Sequence, residues 1–173
     1  MMMPAHSSRI LLPVRPWFIF TTLFLSFLIT LIPKSVLPWI PDWAALVLCF
    51  WCVREPRFVG MGSGFVLGLL TDVADGVIFG QHAIAFVLLA FLCNDLSRRF
   101  ALFTPIKQAL QVFPFLFLCE GIQIFLRMVA GGAFPGFSFF VAPIVASLLW
   151  PILSFLLLLP QNQPVEQNPD RPM

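Results

Sequence analysis

Few side chains in this sequence carry the equipment for chemistry, and the sharpest anomaly is Glu120. It stands among Leu118, Cys119, Ile122 and Phe125, with Gln123 three residues on and Arg127 seven. On a helix that spacing lines the three up on one face. An ionised carboxylate in hydrocarbon costs on the order of 2.5–3.5 kcal/mol, so it needs a partner or a proton. The face of Glu120, Gln123 and Arg127 therefore turns to a bundle interior or to another protein. It serves there as a polar zipper between helices, or as a partner or substrate site.

A second set is Asp72, Asp75 and His82. The two aspartates sit one turn apart at the end of an apolar stretch, and His82 comes just after Gly80-Gln81. Either carboxylate is placed to cap the helix that follows. The functional alternatives are a cation, proton or substrate site, or a docking point for a basic partner surface. One histidine and two aspartates make a thin ligand set. The expectation is a hydrogen-bonded interior histidine and no metal. Ahead of this set run Gly60, Gly64 and Gly68, a spacing of four that leads into Asp72 and then Gly76. Glycines so spaced open a groove on one helix face where a second backbone approaches closely. That backbone belongs either to a neighbouring helix or to another protein.

Nothing here asks for catalysis. There is no nucleophile elbow, H-E-x-x-H pair or phosphate-binding glycine loop. Cys49 and Cys52 lack a second pair for zinc. All four cysteines lie inside apolar runs, as free buried thiols do, rather than in loops as a disulfide framework would. Neither an enzyme nor a cofactor is expected.

Apolar blocks must carry these groups. Hydrophobic residues make up 60% of the chain and charged ones 10%, against about 25% charged in soluble domains. Lipid is therefore the solvent for most of the surface, and a net charge of +2 gives no reason to expect nucleic acid. Charged residues divide the chain into Trp17–Ile32, Trp43–Val53, Phe58–Leu70, Val77–Cys93, Gln108–Leu126 and Phe137–Leu159. The expected fold is an all-α integral membrane bundle of six transmembrane helices over 17–159. A cytoplasmic arm, 1–16, precedes it and a disordered cytoplasmic tail, 160–173, follows. The first block resembles a signal peptide, but no small-residue cleavage site follows it, so it is expected to stay as a span. The second and third are short for a crossing, which takes about 20 residues. Either their charged ends snorkel or are sheltered, or the pair forms a re-entrant hairpin. With six crossings, Arg9, Arg15, Arg54, Arg57, Arg98, Arg99, Lys107 and Arg171 fall on one side, and Lys34 and Arg127 on the other. That bias favours six full crossings with both ends cytoplasmic.

The stretch Pro41-Asp42-Trp43, then Arg54-Glu55-Pro56-Arg57-x2-Gly60, then Gly64-Phe65-x2-Gly68-Leu69-x2-Asp72-x3-Gly76-x3-Gly80-Gln81-His82-Ala83 resembles the MreD family of rod shape-determining membrane proteins. Phe134-Pro135-Gly136, Leu149-Trp150-Pro151-x2-Ser154 and Pro160-Gln161 are similar to its proteobacterial members. The resemblance runs from about Arg15 to Gln161. It implies a non-enzymatic inner-membrane component of the machinery that elongates peptidoglycan and sets rod shape. Such a component binds the single-span protein MreC, in a complex with MreB, RodZ, RodA and a class B penicillin-binding protein. It also implies a fold like the six-helix substrate-binding subunits of energy-coupling vitamin importers. The alternative is a small-molecule-binding subunit of such a transporter, which requires a sealed cavity lined by Glu120, Gln123, Arg127 and His82.

Overall fold

The computed structural model describes residues 14–32, 40–100 and 103–161. The arm before Val14, Lys34 and the tail after Gln161 lie outside the described residues. Within them the chain forms six α-helices and no strand. These are α1 (Pro16–Thr30), α2 (Trp43–Arg54), α3 (Met61–Asp75), α4 (Gln81–Phe100), α5 (Pro105–Val129) and α6 (Val141–Leu158). A 3-10 turn, Phe137–Phe140, leads into α6 and another, Leu159–Gln161, follows it.

Local chemistry sets the ends. Pro16 and Pro105 open α1 and α5, where a missing N–H costs nothing. Asp42 caps α2 by accepting from the Ala45 N–H at 3.2 Å. The Thr30 hydroxyl, at the end of α1, accepts from the Ala44 N–H at 3.1 Å and adds a second cap from the neighbouring helix. Elsewhere the hydroxyls of α1 fold back onto their own helix: Thr22 donates to the Ile19 carbonyl and Ser26 to that of Leu23. The third helix departs from expectation at both ends. It starts at Met61 rather than Phe58, and it runs past Leu70 to Asp75 before stopping at Gly76. Gly76 ends it because its φ of +61° is left-handed, and the Val77 N–H closes on the Asp72 carbonyl at 3.2 Å. The fourth begins at Gln81 rather than Val77, because Gly80, at φ +101°, breaks the run.

Packing makes α2 the axle of the bundle. It touches α1, α4, α5 and α6, while α3 lies along α4 and α6 along α5. Every residue from Ala44 to Cys52 is buried, as befits a helix apolar all round and enclosed by others. Trp51 packs edge-on against Phe18 and Phe50, and its Nε1 donates to the Thr22 hydroxyl at 2.9 Å. Trp150 of α6 donates to Gln108, whose amide in turn donates to the carbonyls of Phe100 and Phe103. That one glutamine ties α4, α5 and α6 together.

The surface is inside out by the standards of a soluble domain. Trp17 (78% exposed), Phe24, Phe65, Leu110, Leu148 and Phe155 point outward, and Asp72, His82, Glu120, Gln123 and Ser154 are buried. Water would not tolerate so much contiguous apolar surface, and lipid would not tolerate those polar groups outside. By length and composition α5 (Pro105–Val129) and the stretch Phe137–Gln161 suffice to cross a bilayer. The segments Pro16–Thr30, Trp43–Arg54 and Gln81–Ser97 are apolar but shorter.

Candidate functional site

The polar residues singled out in the sequence collect at one end of the bundle, where α1, α3 and α5 finish and α2, α4 and α6 begin. The better-defined cluster joins α3 to α4. Asp72, fully buried, lies in the last turn of α3 and reaches across to the start of α4. Its Oδ1 accepts from the His82 backbone N–H at 2.7 Å and sits 2.9 Å from His82 Nδ1. Its Oδ2 accepts from the N–H of Gly80 at 2.8 Å and of Ala83 at 3.4 Å. Gly80, just ahead of α4, has no side chain with which to cap it. A carboxylate from the preceding helix does so instead. A carboxylate oxygen only accepts, so His82 Nδ1 carries the hydrogen between them. The other ring nitrogen, Nε2, lies 3.8 Å from Oδ2 of Asp75, whose side chain is 31% exposed.

The glycine face explains how α3 comes so close. A Cβ on Gly68 would stand 2.5 Å from Ala83 Cα and 2.6 Å from Ala83 N, and one on Gly64 would stand 2.7 Å from the Phe86 carbonyl oxygen. One on Gly60 would stand 3.2 Å from the amide nitrogen of Asn94. The groove is thus filled from end to end by α4, and the stripe is an internal seam of this chain. Gly76 has open space around it and is needed for its left-handed backbone alone.

The second cluster is a cleft where α2, α5 and α6 meet. Glu120 and Gln123 line it with Asp42, Leu116, Cys119 and Ala146. The Gln123 amide donates to the Cys119 sulfur at 3.6 Å. Arg127 does not join them: it is exposed in the last turn of α5, with Gly132 folded against its stem and backbone. His82 is not in the lining either. The space amounts to ≈ 10 Å³, room for about one water molecule, whereas small-molecule pockets run to roughly 300–1,000 Å³. In the sequence Asp42 stands out only as part of Pro41-Asp42-Trp43. Its position directly before an apolar helix was the signal that it caps one.

Among the described residues no group of three His, Cys, Asp or Glu side chains is placed to hold a metal ion. The four cysteines are buried free thiols, with the sulfurs of Cys49 and Cys93 3.1 Å apart between α2 and α4. The polar groups of Asp72 and His82 are turned on one another and on backbone. This arrangement holds α3 against α4.

The sequence model of one protein family, described as rod shape-determining protein MreD, matches residues 8–159. The rod shape-determining protein MreD of Haemophilus influenzae is 26% identical over 143 residues, covering 77% of this chain and 86% of that protein. No solved structure matches the chain.

Proposed function

The chain belongs to the MreD family of rod shape-determining proteins, and from that premise we propose that it is a six-pass inner-membrane scaffold that binds MreC and helps organise peptidoglycan synthesis along the rod. Both ends lie in the cytoplasm in this reading, and the six helices take an arrangement like that of the importer subunits. MreB, RodZ, RodA and a class B penicillin-binding protein complete the assembly. One observation carries the proposal: the buried side chains of Asp72 and His82 are engaged in bonds within the chain, while large apolar side chains on every helix but α2 face outward. A protein so built works through its surface, not through a pocket.

The residues that the sequence singles out divide into enclosed and exposed ones. Asp72 and the glycine face are enclosed between α3 and α4, so they support a partner surface rather than form it. In this reading Asp75, which also lies 3.8 Å from His82 Nε2, and Arg127 are the exposed charges at the outer end that meet a partner's extracytoplasmic segment. The test is co-purification of tagged MreC with the wild-type chain and with the Asp75→Lys and Arg127→Glu variants. Reduced recovery with folded variants places the contact at this end. Undiminished recovery places it elsewhere, and no recovery with the wild-type chain sinks the proposal. The transporter-subunit alternative requires a bound ligand, and the cleft at Glu120 has room for about one water. Native mass spectrometry of the purified protein is expected to show the bare chain and lipid.

A further inference from the structure

The connection between α3 and α4 is short, apolar and exposed. It runs Gly76-Val77-Ile78-Phe79-Gly80 without a charge, and Ile78 is 54% and Phe79 71% exposed. Connections in water are normally polar. We propose that this turn does not stand clear of the membrane but sits at its outer interface, with Ile78 and Phe79 dipped among the acyl chains and Asp75 at the headgroups, and that Asp72 is the group that lets it do so.

Depth supports this. The charged end of α4, with Asp95, Arg98 and Arg99, belongs at the cytoplasmic boundary together with Arg54 and Arg57. From Asn94 back to His82 is about 18 Å of helix, while the hydrocarbon layer is about 30 Å thick. Snorkelling at the basic end and local thinning absorb part of the difference. The remainder falls on the turn, whose exposed Ile78 and Phe79 continue the apolar surface of Val73 on α3 and Ile84 on α4.

Backbone bonding supports it independently. Irregular backbone that is not enclosed by protein needs its polar groups satisfied by the chain or by the water of the interface. Here Val77 donates to the Asp72 carbonyl, Gln81 to that of Ile78 and Ile84 to that of Gly80. The donors of Gly80, His82 and Ala83 all end on the Asp72 carboxylate. Asp72 thus removes from lipid the donors that a helix start normally shows to water, and the N–H groups of Ile78 and Phe79 are left to the water of the interface. The α5–α6 connection contrasts with this: it holds Gly131, Gly132, Pro135 and Gly136, and its internal backbone bonds stop at Gly132.

The inference rests on the six-crossing reading, and the two fail differently in one experiment. The purified protein carries a nitroxide on Phe79→Cys, or on Ala133→Cys in the α5–α6 connection, in vesicles of phosphatidylethanolamine and phosphatidylglycerol. The native cysteines are all buried and stay unlabelled. Relaxation by oxygen, which partitions into lipid, is compared with relaxation by a water-soluble nickel chelate. Position 79 is expected to favour oxygen and position 133 the chelate. If 79 is as open to the chelate as 133, the turn is in water and the inference is overturned. If 133 is sealed in lipid as well, the crossing pattern itself is wrong. Adding Asp72→Asn to the Phe79→Cys protein is expected to raise chelate access at 79, and no change there removes Asp72 from the account. Because no other protein is present, shielding at 79 means lipid and not a bound partner.

Discussion

Replacing Gly68 by alanine tests the helix seam where it is tightest. The new Cβ would stand 2.5 Å from Ala83 Cα and 2.6 Å from Ala83 N, against an ordinary contact of 3.4 Å or more. The nearest atoms are backbone, so no rotamer change relieves the clash, and α3 and α4 must part by about 1 Å. Overpacking of this kind costs about 1–3 kcal/mol. The separation also pulls on the Asp72 carboxylate, whose bonds run to Gly80, His82 and Ala83, the very backbone being displaced. Losing one or two of them adds about 1–3 kcal/mol, and alanine's better helix propensity returns at most about 1 kcal/mol. The net is a destabilisation of about 1–6 kcal/mol. Gly62→Ala is the matched control, since a Cβ there meets nothing within 4 Å, and it should be neutral or stabilising by up to about 1 kcal/mol. Unfolding of both purified variants in mixed micelles, titrated with a denaturing detergent, reads the difference. Equal stability of the two would refute the seam.

Three further outcomes follow from the same geometry. Asp72→Asn keeps the shape but turns an amide donor toward backbone donors, and is expected to cost about 1–3 kcal/mol in the same unfolding assay; an unchanged midpoint would mean that the cap on α4 contributes nothing. Thr30→Val removes the second cap on α2 and should cost about 1 kcal/mol, with Thr21→Val, whose hydroxyl is exposed and bonded within α1, as the neutral comparison. Trp51→Phe gives up the bond to Thr22 and should lower stability by about 1 kcal/mol or more, read by the shift in thermal unfolding.

Much of the plan was legible in the sequence, and the reasons for the gaps are physical. Six apolar blocks separated by charges located six helices in order, because a charge is costly in lipid wherever it has no partner. The glycine spacing showed that a backbone would lie against α3, but not whose: period four describes one helix face and says nothing of its occupant. Thr71 to Asp75 look like a turn by composition. They are helical because Thr71 bonds back to the Leu67 carbonyl and Asp72 finds its donors on the next helix, a partnership across eight to eleven residues that no local pattern reveals. The short second block needed no snorkelling to explain it, since α2 is enclosed by protein over nearly its whole length. The expected line of Glu120, Gln123 and Arg127 divides, because the last turn of α5 leaves the cleft and Gly132 packs onto Arg127.

The proposed bundle presents apolar side chains outward and returns to the cytoplasm after its sixth helix. Alkaline phosphatase, active only outside the cytoplasm, and green fluorescent protein, fluorescent only inside it, can be fused in turn after Arg57, Ala133 and Gln161. Phosphatase activity after Ala133 alone, with fluorescence after Arg57 and Gln161, is the predicted pattern. Phosphatase activity after Gln161 would contradict it.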